Sequence, residues 1–282
     1  MIEKFVSSFD NFDDRLPDVL CSVENGVAVV AIANTSARNA LSLKMWKDLE
    51  AVFRGLSSDA SVRVIVLRGA GTEAFAAGAD ISEFPELRFT ASSAAVYNAQ
   101  LSRTLRRVAE IEIPTIAMLQ GFTVGGGCEL AAACDLRIAA DGLSIGIPVG
   151  RLGVILGLTE SRLLVRHIGV NGLKRLLFSG ELVDAEQALG MGLVDEVVPA
   201  AELNARVSTL AAAVRASSAT VMTAAKVITD LAGTLNDAAA DRVQELSLRA
   251  YDGADLREGV SAFLEKRRPV FAGGVAEGEP TR

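Results

Sequence analysis

The sequence of 282 residues has very little histidine and cysteine. Its single histidine, His167, would have to serve any histidine-dependent catalytic triad or multi-histidine metal site alone, so both kinds of site are disfavoured. The three cysteines, Cys21, Cys128 and Cys134, match no metal-binding spacing. All three stand among apolar residues, which predicts buried free thiols.

The chain also lacks a broad basic character and a long apolar segment. Its net charge of −7 argues against a nucleic-acid partner. The uncharged segment 113–128 contains Pro114 and four glycines, so it is too short and too interrupted to span a bilayer. Residues 1–20 are acidic and have no continuous apolar run, which predicts no secretory signal. We therefore expect a cytoplasmic protein with no membrane partner.

What remains is a globular composition, in which 50% of the residues are hydrophobic. Strand patterns alternate with helix patterns until about residue 200, and the pattern is then helical throughout. This order predicts an α/β core over residues 1–200 and a C-terminal helical segment over residues 201–271. The polar, glycine-rich residues 272–282 are expected to form a disordered tail.

The individual elements follow from hydrophobic period and turn residues. Strands are predicted at 19–24, 27–33, 62–68, 114–119, 136–139, 143–147 and 194–198. Helices are predicted at 42–56, 91–111, 126–134, 159–168, 171–178, 184–189 and 255–266.

Two loops rich in small residues are candidates for chemistry. One is AFAAGAD at Ala74–Asp80, and the other is the triple glycine Gly125–Gly127, which opens a short apolar helix with a single acid, Glu129. The N–H groups at a helix start attract negative charge. The glycines have neither the dinucleotide-binding spacing nor the lysine of a phosphate-binding loop. The pattern favours an anion-stabilising helix start beside a carboxylate, and the alternative is a tight turn with Glu129 on the surface.

Five segments, taken in order, resemble the crotonase superfamily, which is the enoyl-CoA hydratase/isomerase family. The resemblance covers residues 19–271. The segments are ARNALSLKM (37–45), AFAAGADISEF (74–84), PTIAMLQGFTVGGGCELAAACDLRIAA (114–140), LLFSGELVDAEQALGMGLVDEVVP (176–199) and EGVSAFLEKRRPVF (258–271).

The resemblance implies an α/β fold in which ββα units form a spiral and a C-terminal helical segment mediates trimerisation. It also implies a homotrimer, or a hexamer made of two trimers. The expected reaction proceeds through an enolate of an acyl-CoA thioester, with no cofactor beyond the coenzyme A of the substrate.

Site residues follow from the matched positions. The backbone N–H groups of Ala79 and Gly126 would form the oxyanion hole for the thioester oxygen. Glu129 would be the acid/base residue, with a pKa raised by its apolar surroundings. The residues matched to the coenzyme A site are Ala37, Arg38, Ala40, Ala77, Asp80, Ile81, Phe263 and Lys266.

Phe263 and Lys266 match residues of the last helix that often reach the coenzyme A of an adjacent subunit. Their spacing of three predicts that they share a helix face. The alternative for Lys266 is a basic helix end that complements the helix dipole.

The sequence departs from the family pattern at the second catalytic acid, where Val149 stands. Hydration requires one group that activates water and another that delivers a proton, and valine can do neither. Glu160, Glu83 and Glu86 are candidates for a replacement, although Glu160 is expected to be a solvent-facing acid in the first turn of a helix, and the other two to be exposed. The reaction is therefore left open between hydration or isomerisation and another crotonase-type reaction, namely hydrolysis, decarboxylation or dehydration. A catalytically impaired acyl-CoA-binding subunit is also left open.

Overall fold

The computed structural model describes Val6, residues 17–232 and residues 237–271, so the tail predicted at 272–282 lies outside the described residues. The strands are β1 Asp18–Glu24, β2 Val27–Ala33, β3 Val64–Gly69, β4 Ala74–Ala76, β5 Thr115–Leu119, β6 Phe122–Val124, β7 Leu136–Ala140, β8 Ser144–Gly146, β9 Val183–Asp184 and β10 Glu196–Val198. The helices are α1 Leu43–Leu56, α2 Phe84–Leu87, α3 Ala91–Glu110, α4 Gly126–Ala133, α5 Leu158–Ser179, α6 Ala185–Met191, α7 Leu203–Arg215, α8 Ala219–Leu231, α9 Asp237–Asp252 and α10 Ala254–Leu264.

The strands form two sheets. The larger sheet has the order β1-β2-β3-β5-β7-β10, and the smaller one has the order β4-β6-β8-β9. Pairing is parallel except for β1 with β2 and β8 with β9. The two antiparallel pairs therefore lie at the sheet edges.

Consecutive strand pairs divide between the two sheets. In the pairs β3/β4, β5/β6 and β7/β8, the first strand joins the larger sheet and the second joins the smaller one. A helix follows each of these pairs: α3 comes after the first, α4 after the second and α5 after the third. This repetition is the ββα spiral that the resemblance implies, and the helices α7 to α10 come later in the chain. The predicted fold class is confirmed.

Local sequence signals explain the first elements. Asn25 and Gly26 both have positive φ, as a two-residue hairpin turn between β1 and β2 requires. Ser42 caps α1 by accepting a hydrogen bond from the Met45 N–H at 3.2 Å. Trp46 and Phe53 lie on the buried face of α1, and burying a side chain such as Phe53 contributes about 1.5–3 kcal/mol.

The helices after the spiral differ in how they are packed. The α7 residues Leu203, Val207 and Ala211 pack against the larger sheet. In α8, Lys226 is held by Asp135, whose carboxylate oxygen lies 2.9 Å from its Nζ. By contrast, α8, α9 and α10 leave several large apolar side chains exposed, namely Val221, Leu248, Tyr251, Leu256, Val260, Phe263 and Leu264.

Some details differ from the sequence expectations. Cys21 is exposed, because it lies in the edge strand β1, where only Val19 is buried, whereas Cys128 and Cys134 are buried as predicted. The helices predicted at 159–168 and 171–178 are assigned as the single element α5, interrupted by non-helical Gly169. The strands β4, β6 and β9 were not predicted.

Candidate active site

A cavity of about 190 Å³ lies where the spiral brings four parts of the chain together. Its walls come from the loop after β4, the start of α4, one face of α3 and the segment between β8 and α5. The side chains are mostly apolar, with a few polar groups. These polar residues are Arg88, Asn98, Ser102, Glu129 and Glu160.

The two loops singled out in the sequence meet at one side of this cavity. A Cβ built on Gly78 would lie 2.9 Å from the Val124 carbonyl oxygen and 3.5 Å from the Gly126 nitrogen, so only glycine permits this approach. Gly125 has φ 53° and ψ −119°, a conformation that favours glycine and sets the direction of the following helix. The glycines thus bring Ala79 beside the start of α4.

Backbone N–H groups of the two loops are therefore close together. A Cβ on Gly126 would lie 3.7 Å from the Ala79 nitrogen. Gly126 is the first residue of α4, so its N–H has no intrahelical acceptor. The neighbouring Ala77 and Asp80 amides donate to the carbonyls of Arg38 and Leu41, whereas no backbone bond from the Ala79 amide is found within the described residues. The geometry suits two donors to one oxygen at the cavity wall.

Glu129 lies one turn into α4 and is 5% exposed. Burial, followed by the negative charge of Glu160, raises the pKa of the Glu129 carboxyl to about 8, and Arg88 opposes the shift. Its Oε2 is buried with no hydrogen-bond partner in the described part of the chain. At neutral pH this carboxyl holds its proton and faces the cavity.

Glu160 is the main departure from the sequence expectation of a solvent-facing acid. It lies in the first turn of α5 but is only 2% exposed, and it lines the same cavity as Glu129. Its Oε1 accepts a hydrogen bond from the Ser102 hydroxyl of α3 at 2.6 Å. The expectation was wrong because α3 covers the start of α5, a tertiary contact that the position in the helix does not reveal.

Val149, the position where the resemblance implies an acid, lies in the cavity wall and packs against the apolar core.

The two remaining acid candidates, Glu86 and Glu83, lie outside the cavity lining. Glu86 is exposed, as expected. Glu83 is half-buried rather than exposed, because its Oε2 accepts a hydrogen bond from the Leu43 N–H at the start of α1, at 2.7 Å.

Most of the predicted coenzyme A residues lie near the cavity. Ala77 and Ile81 line it. Ala37, Arg38 and Ala40 belong to a loop that runs beside the Ala77–Asp80 loop, since the Ala77 N–H donates to the Arg38 carbonyl at 2.9 Å. The main chains of these two paired loops therefore run side by side, and we call this pair of loops the edge of the cavity.

Side chains along this edge have local partners. The Arg38 guanidinium lies over the Phe122 ring at 4.5 Å and pairs with Glu73 at 2.7 Å. The Asp80 carboxylate accepts from the Ser82 N–H at 3.0 Å and so caps the short helical turn Ile81–Glu83. Asp80 thus contributes to this edge mainly through its backbone.

Phe263 and Lys266 are placed differently from the prediction. Phe263 is 81% exposed in α10, but the helix ends at Leu264, and Lys266 has φ 56°. The two side chains therefore do not share a helix face, because the chain leaves the helix between them. Neither residue lines the cavity of its own chain.

Ser102, Asn98 and Arg88 were not identified from the sequence. Asn98 and Ser102 are one turn apart on α3, so they share a face, and this spacing was an available signal. The Arg88 guanidinium lies over the rings of Phe84 and Tyr97 at 4.7 and 4.8 Å and donates to Asn98 Oδ1 at 2.7 Å. These contacts hold its charge at the cavity wall.

His167 is a structural residue in this arrangement. Its Nε2 lies 3.0 Å from the Ala132 carbonyl oxygen, and burial together with Arg137 lowers the pKa of the imidazole to about 4. Among the described residues there is no cluster of three or more side chains of the kinds that bind metals. None of the helices described is both long enough and apolar enough to cross a membrane.

Comparisons with known proteins agree with the fold. The family model described as enoyl-CoA hydratase/isomerase matches residues 22–274. The short-chain-enoyl-CoA hydratase of Clostridium acetobutylicum is 32% identical over 262 residues, covering 90% of this chain and 97% of the relative. The crotonyl-CoA hydratase of Syntrophomonas wolfei is 31% identical over 258 residues, with coverage of 90% and 97%.

Solved structures show the same relationship. An enoyl-CoA hydratase/carnithine racemase from Magnetospirillum magneticum superposes with a TM-score of 0.86 at 34% identity, covering 94% of this chain and 98% of that chain. An enoyl-CoA hydratase from Bacillus anthracis gives a TM-score of 0.82 at 29% identity, covering 90% and 99%. The fold and these similarities define an enzyme of the crotonase type. The chain belongs to the enoyl-CoA hydratase/isomerase family.

Proposed function

We propose that the protein catalyses the reversible addition of water to the double bond of a 2-enoyl-CoA thioester. The observation that supports this most directly is the placement of a buried, proton-holding Glu129 beside the Ala79 and Gly126 amides in one cavity. Relatives named as enoyl-CoA and crotonyl-CoA hydratases support the same reaction.

In this proposal the thioester oxygen accepts hydrogen bonds from the N–H groups of Ala79 and Gly126. Negative charge develops on that oxygen when water adds to the β-carbon and an enolate forms. Donors that are already in position stabilise this charge, and one such donor is typically worth about 2.7–4 kcal/mol of activation free energy. The amino end of α4 adds positive potential at the same point.

Glu129 then delivers its proton to the α-carbon of the enolate. A pKa of about 8 keeps the carboxyl protonated at neutral pH and close enough to the working pH for transfer in either direction. The reverse reaction uses the ionised form, which takes the α-proton back. The apolar cavity walls keep bulk water away from this step.

Coenzyme A would bind along the edge formed by the two paired loops. We assign the contacts to Ala37, Arg38, Ala40, Ala77, Asp80 and Ile81. Phe263 and Lys266 would complete the site of a neighbouring subunit, because in their own chain they lie outside the cavity lining. The exposed guanidinium of Arg38 and the exposed ammonium of Lys266 are suited to phosphate groups.

We further propose a homotrimer, or a hexamer of two trimers. Support comes from the exposed apolar side chains of α8, α9 and α10, which one chain leaves uncovered. A cytoplasmic location, and a reaction that needs no cofactor beyond the coenzyme A of its substrate, remain predictions.

The test is the hydration of crotonyl-CoA by the purified wild-type protein, followed by loss of the enoyl absorbance and by mass spectrometry of the product. Isothermal titration with acetyl-CoA measures binding separately. We expect both turnover and binding. Binding without turnover of crotonyl-CoA or longer 2-enoyl-CoA esters would contradict the proposed reaction, and absence of any binding would contradict the acyl-CoA site.

A further inference from the structure

We propose that Glu160 is the second catalytic carboxylate, the base that takes a proton from the attacking water. This inference rests on the proposed function, because it assigns a residue to the hydration step. The sequence places Val149 where the resemblance implies an acid, and the structure brings a carboxylate into the same cavity from a different element, the first turn of α5.

The hydrogen bonds of Glu160 leave one of its oxygens unused. Oε1 accepts from the Ser102 hydroxyl at 2.6 Å, which fixes the direction of the carboxylate. Oε2 is fully buried and has no partner among the groups that the structure describes. A buried polar atom without a partner is costly, typically by about 1–3 kcal/mol, so its persistence favours a role with a bound molecule.

Glu160 does not make the capping hydrogen bond that a glutamate in the first turn of a helix commonly makes. A glutamate in the first turn commonly reaches back to the N–H of the capping residue. Here the capping residue is Gly157, and the Glu160 Oε2 atom has no such bond. A Cβ on Gly157 would lie 2.2 Å from that oxygen, so the glycine leaves room for the carboxylate at the cavity wall.

The charged groups around this carboxylate suit the role of a base. Glu160 and Glu129 face one cavity, and Arg88 lies at its wall. The Glu160 charge is one of the two causes that keep the proton on Glu129. The cavity thus holds a proton donor, Glu129, and a second carboxylate, Glu160, which we assign as the proton acceptor.

The hydration step then balances without any further reagent. Water transfers one proton to Glu160 while its oxygen forms a bond to the β-carbon. The electron pair of the C=C bond forms the Cα=C bond of the enolate, and the C=O π pair moves to the thioester oxygen, which the Ala79 and Gly126 amides hold. When the enolate collapses, the α-carbon takes the proton of Glu129. Transfer of the water-derived proton from Glu160 to Glu129, directly or through solvent, restores the starting state.

The decisive variant is Glu160→Gln. Glutamine keeps the shape and can still accept the Ser102 hydrogen bond, but it cannot take a proton from water. We expect kcat for crotonyl-CoA hydration to fall by about 10²–10⁴-fold, with KM changed only a few-fold. The matched control is Glu86→Gln, an exposed acid outside the cavity lining, which should behave as wild type.

A second measurement separates loss of the base from general damage to the site. Exchange of the α-protons of butyryl-CoA with D₂O requires the oxyanion hole and Glu129 but no attacking water. Glu160→Gln should retain this exchange within a few-fold of wild type. Unchanged hydration in the variant would overturn the proposal, and so would an equal loss of hydration and exchange. A wild-type protein that catalyses neither reaction would instead refute the proposed function itself.

Discussion

Two cavities of the described chain differ in their place in the fold and in their polar groups. The candidate active-site cavity has a volume of about 190 Å³, lies within the ββα spiral and contains two buried acids. The second has a volume of about 670 Å³ and lies among α8, α9 and α10. It is lined mainly by apolar groups such as Val260 and Phe263, many of them exposed.

The two cavities lack different things, namely hydrogen-bond partners in the first and cover for apolar side chains in the second. In the first cavity, the buried Oε2 atoms of Glu129 and Glu160 have no hydrogen-bond partner among the described groups, and such atoms call for an explanation. In the second, apolar surface lacks cover at the outside of the chain, which is typical of a protein interface. This contrast agrees with the two proposals made above, in which the spiral is the catalytic region and the last three helices are the assembly region.

The largest expected effect comes from Glu129→Gln in the catalytic region. Glutamine keeps the shape of the side chain but has no proton to deliver to the α-carbon, so kcat for crotonyl-CoA should fall by about 10²–10⁴-fold. Steady-state kinetics and light scattering on the same sample should show lost turnover at unchanged mass. Glu110→Gln, an exposed acid at the end of α3, serves as the control. Retained turnover in Glu129→Gln would contradict the proposed acid role and indicate that Glu129 is structural.

A smaller loss is expected from Gly126→Ala. The added Cβ would lie 2.9 Å from Cζ2 of the buried Trp46, so either the ring or the start of α4 must shift, and a shift of the helix moves the Gly126 N–H relative to Ala79. Displacement of a catalytic group by about 1 Å can cost about 10²-fold in kcat/KM. Gly142→Ala, where a Cβ meets nothing within 4 Å, is the matched control. Equal kinetics for the two alanine variants would argue against an oxyanion hole at this position.

The pH dependence of hydration should report the proton on Glu129. Because the neutral form delivers the proton and its pKa is raised to about 8, kcat/KM should change little from pH 6 up to that value. Above it, kcat/KM should fall about tenfold per pH unit. A profile measured from pH 6 to 10 tests this limb, and an activity that stays level to pH 10 would exclude Glu129 as the acid.

The smallest effect on turnover should come from the assembly region. Tyr251 is 69% exposed in α9 and lines the second cavity, so Tyr251→Glu places a charge in the proposed interface. We expect light scattering to show a lower mass, with kcat changed only a few-fold. Tyr251→Phe, which keeps the apolar ring, should retain the wild-type mass. A wild-type protein that is monomeric at micromolar concentration would contradict this interpretation.

Much of the larger sheet was predictable because its strands are long enough to show a pattern. Strand β2, for example, is an apolar run of seven residues that begins directly after an Asn-Gly turn. Strands β4 and β6 have three residues each, and β9 has two. Segments this short contain little period that distinguishes a strand from a loop. The equally short β8 was predicted because it lies within the alternating apolar residues Leu143, Ile145 and Ile147.

The parts of the candidate site that come from one short segment were predictable from the sequence. The parts that depend on packing between distant segments were not. Gly126 and Glu129 belong to one short segment, so their relation could be inferred from the sequence. The carboxylate of Glu160 is placed by Ser102, which lies 58 residues away in the chain. The end of α10 was missed for a related reason, since Glu265 and Lys266 are both good helix formers and provide no stop signal.

The proton held by Glu129 also has a consequence for folding. In the unfolded chain this carboxyl would ionise near its ordinary pKa of 4.5, whereas in the folded chain it keeps its proton up to about pH 8. Folding therefore takes up a proton between these values. The stability contributed by this group is complete below pH 4.5 and is lost as the pH rises toward 8. The burial that keeps this acid protonated at neutral pH thus makes the fold less stable under alkaline conditions.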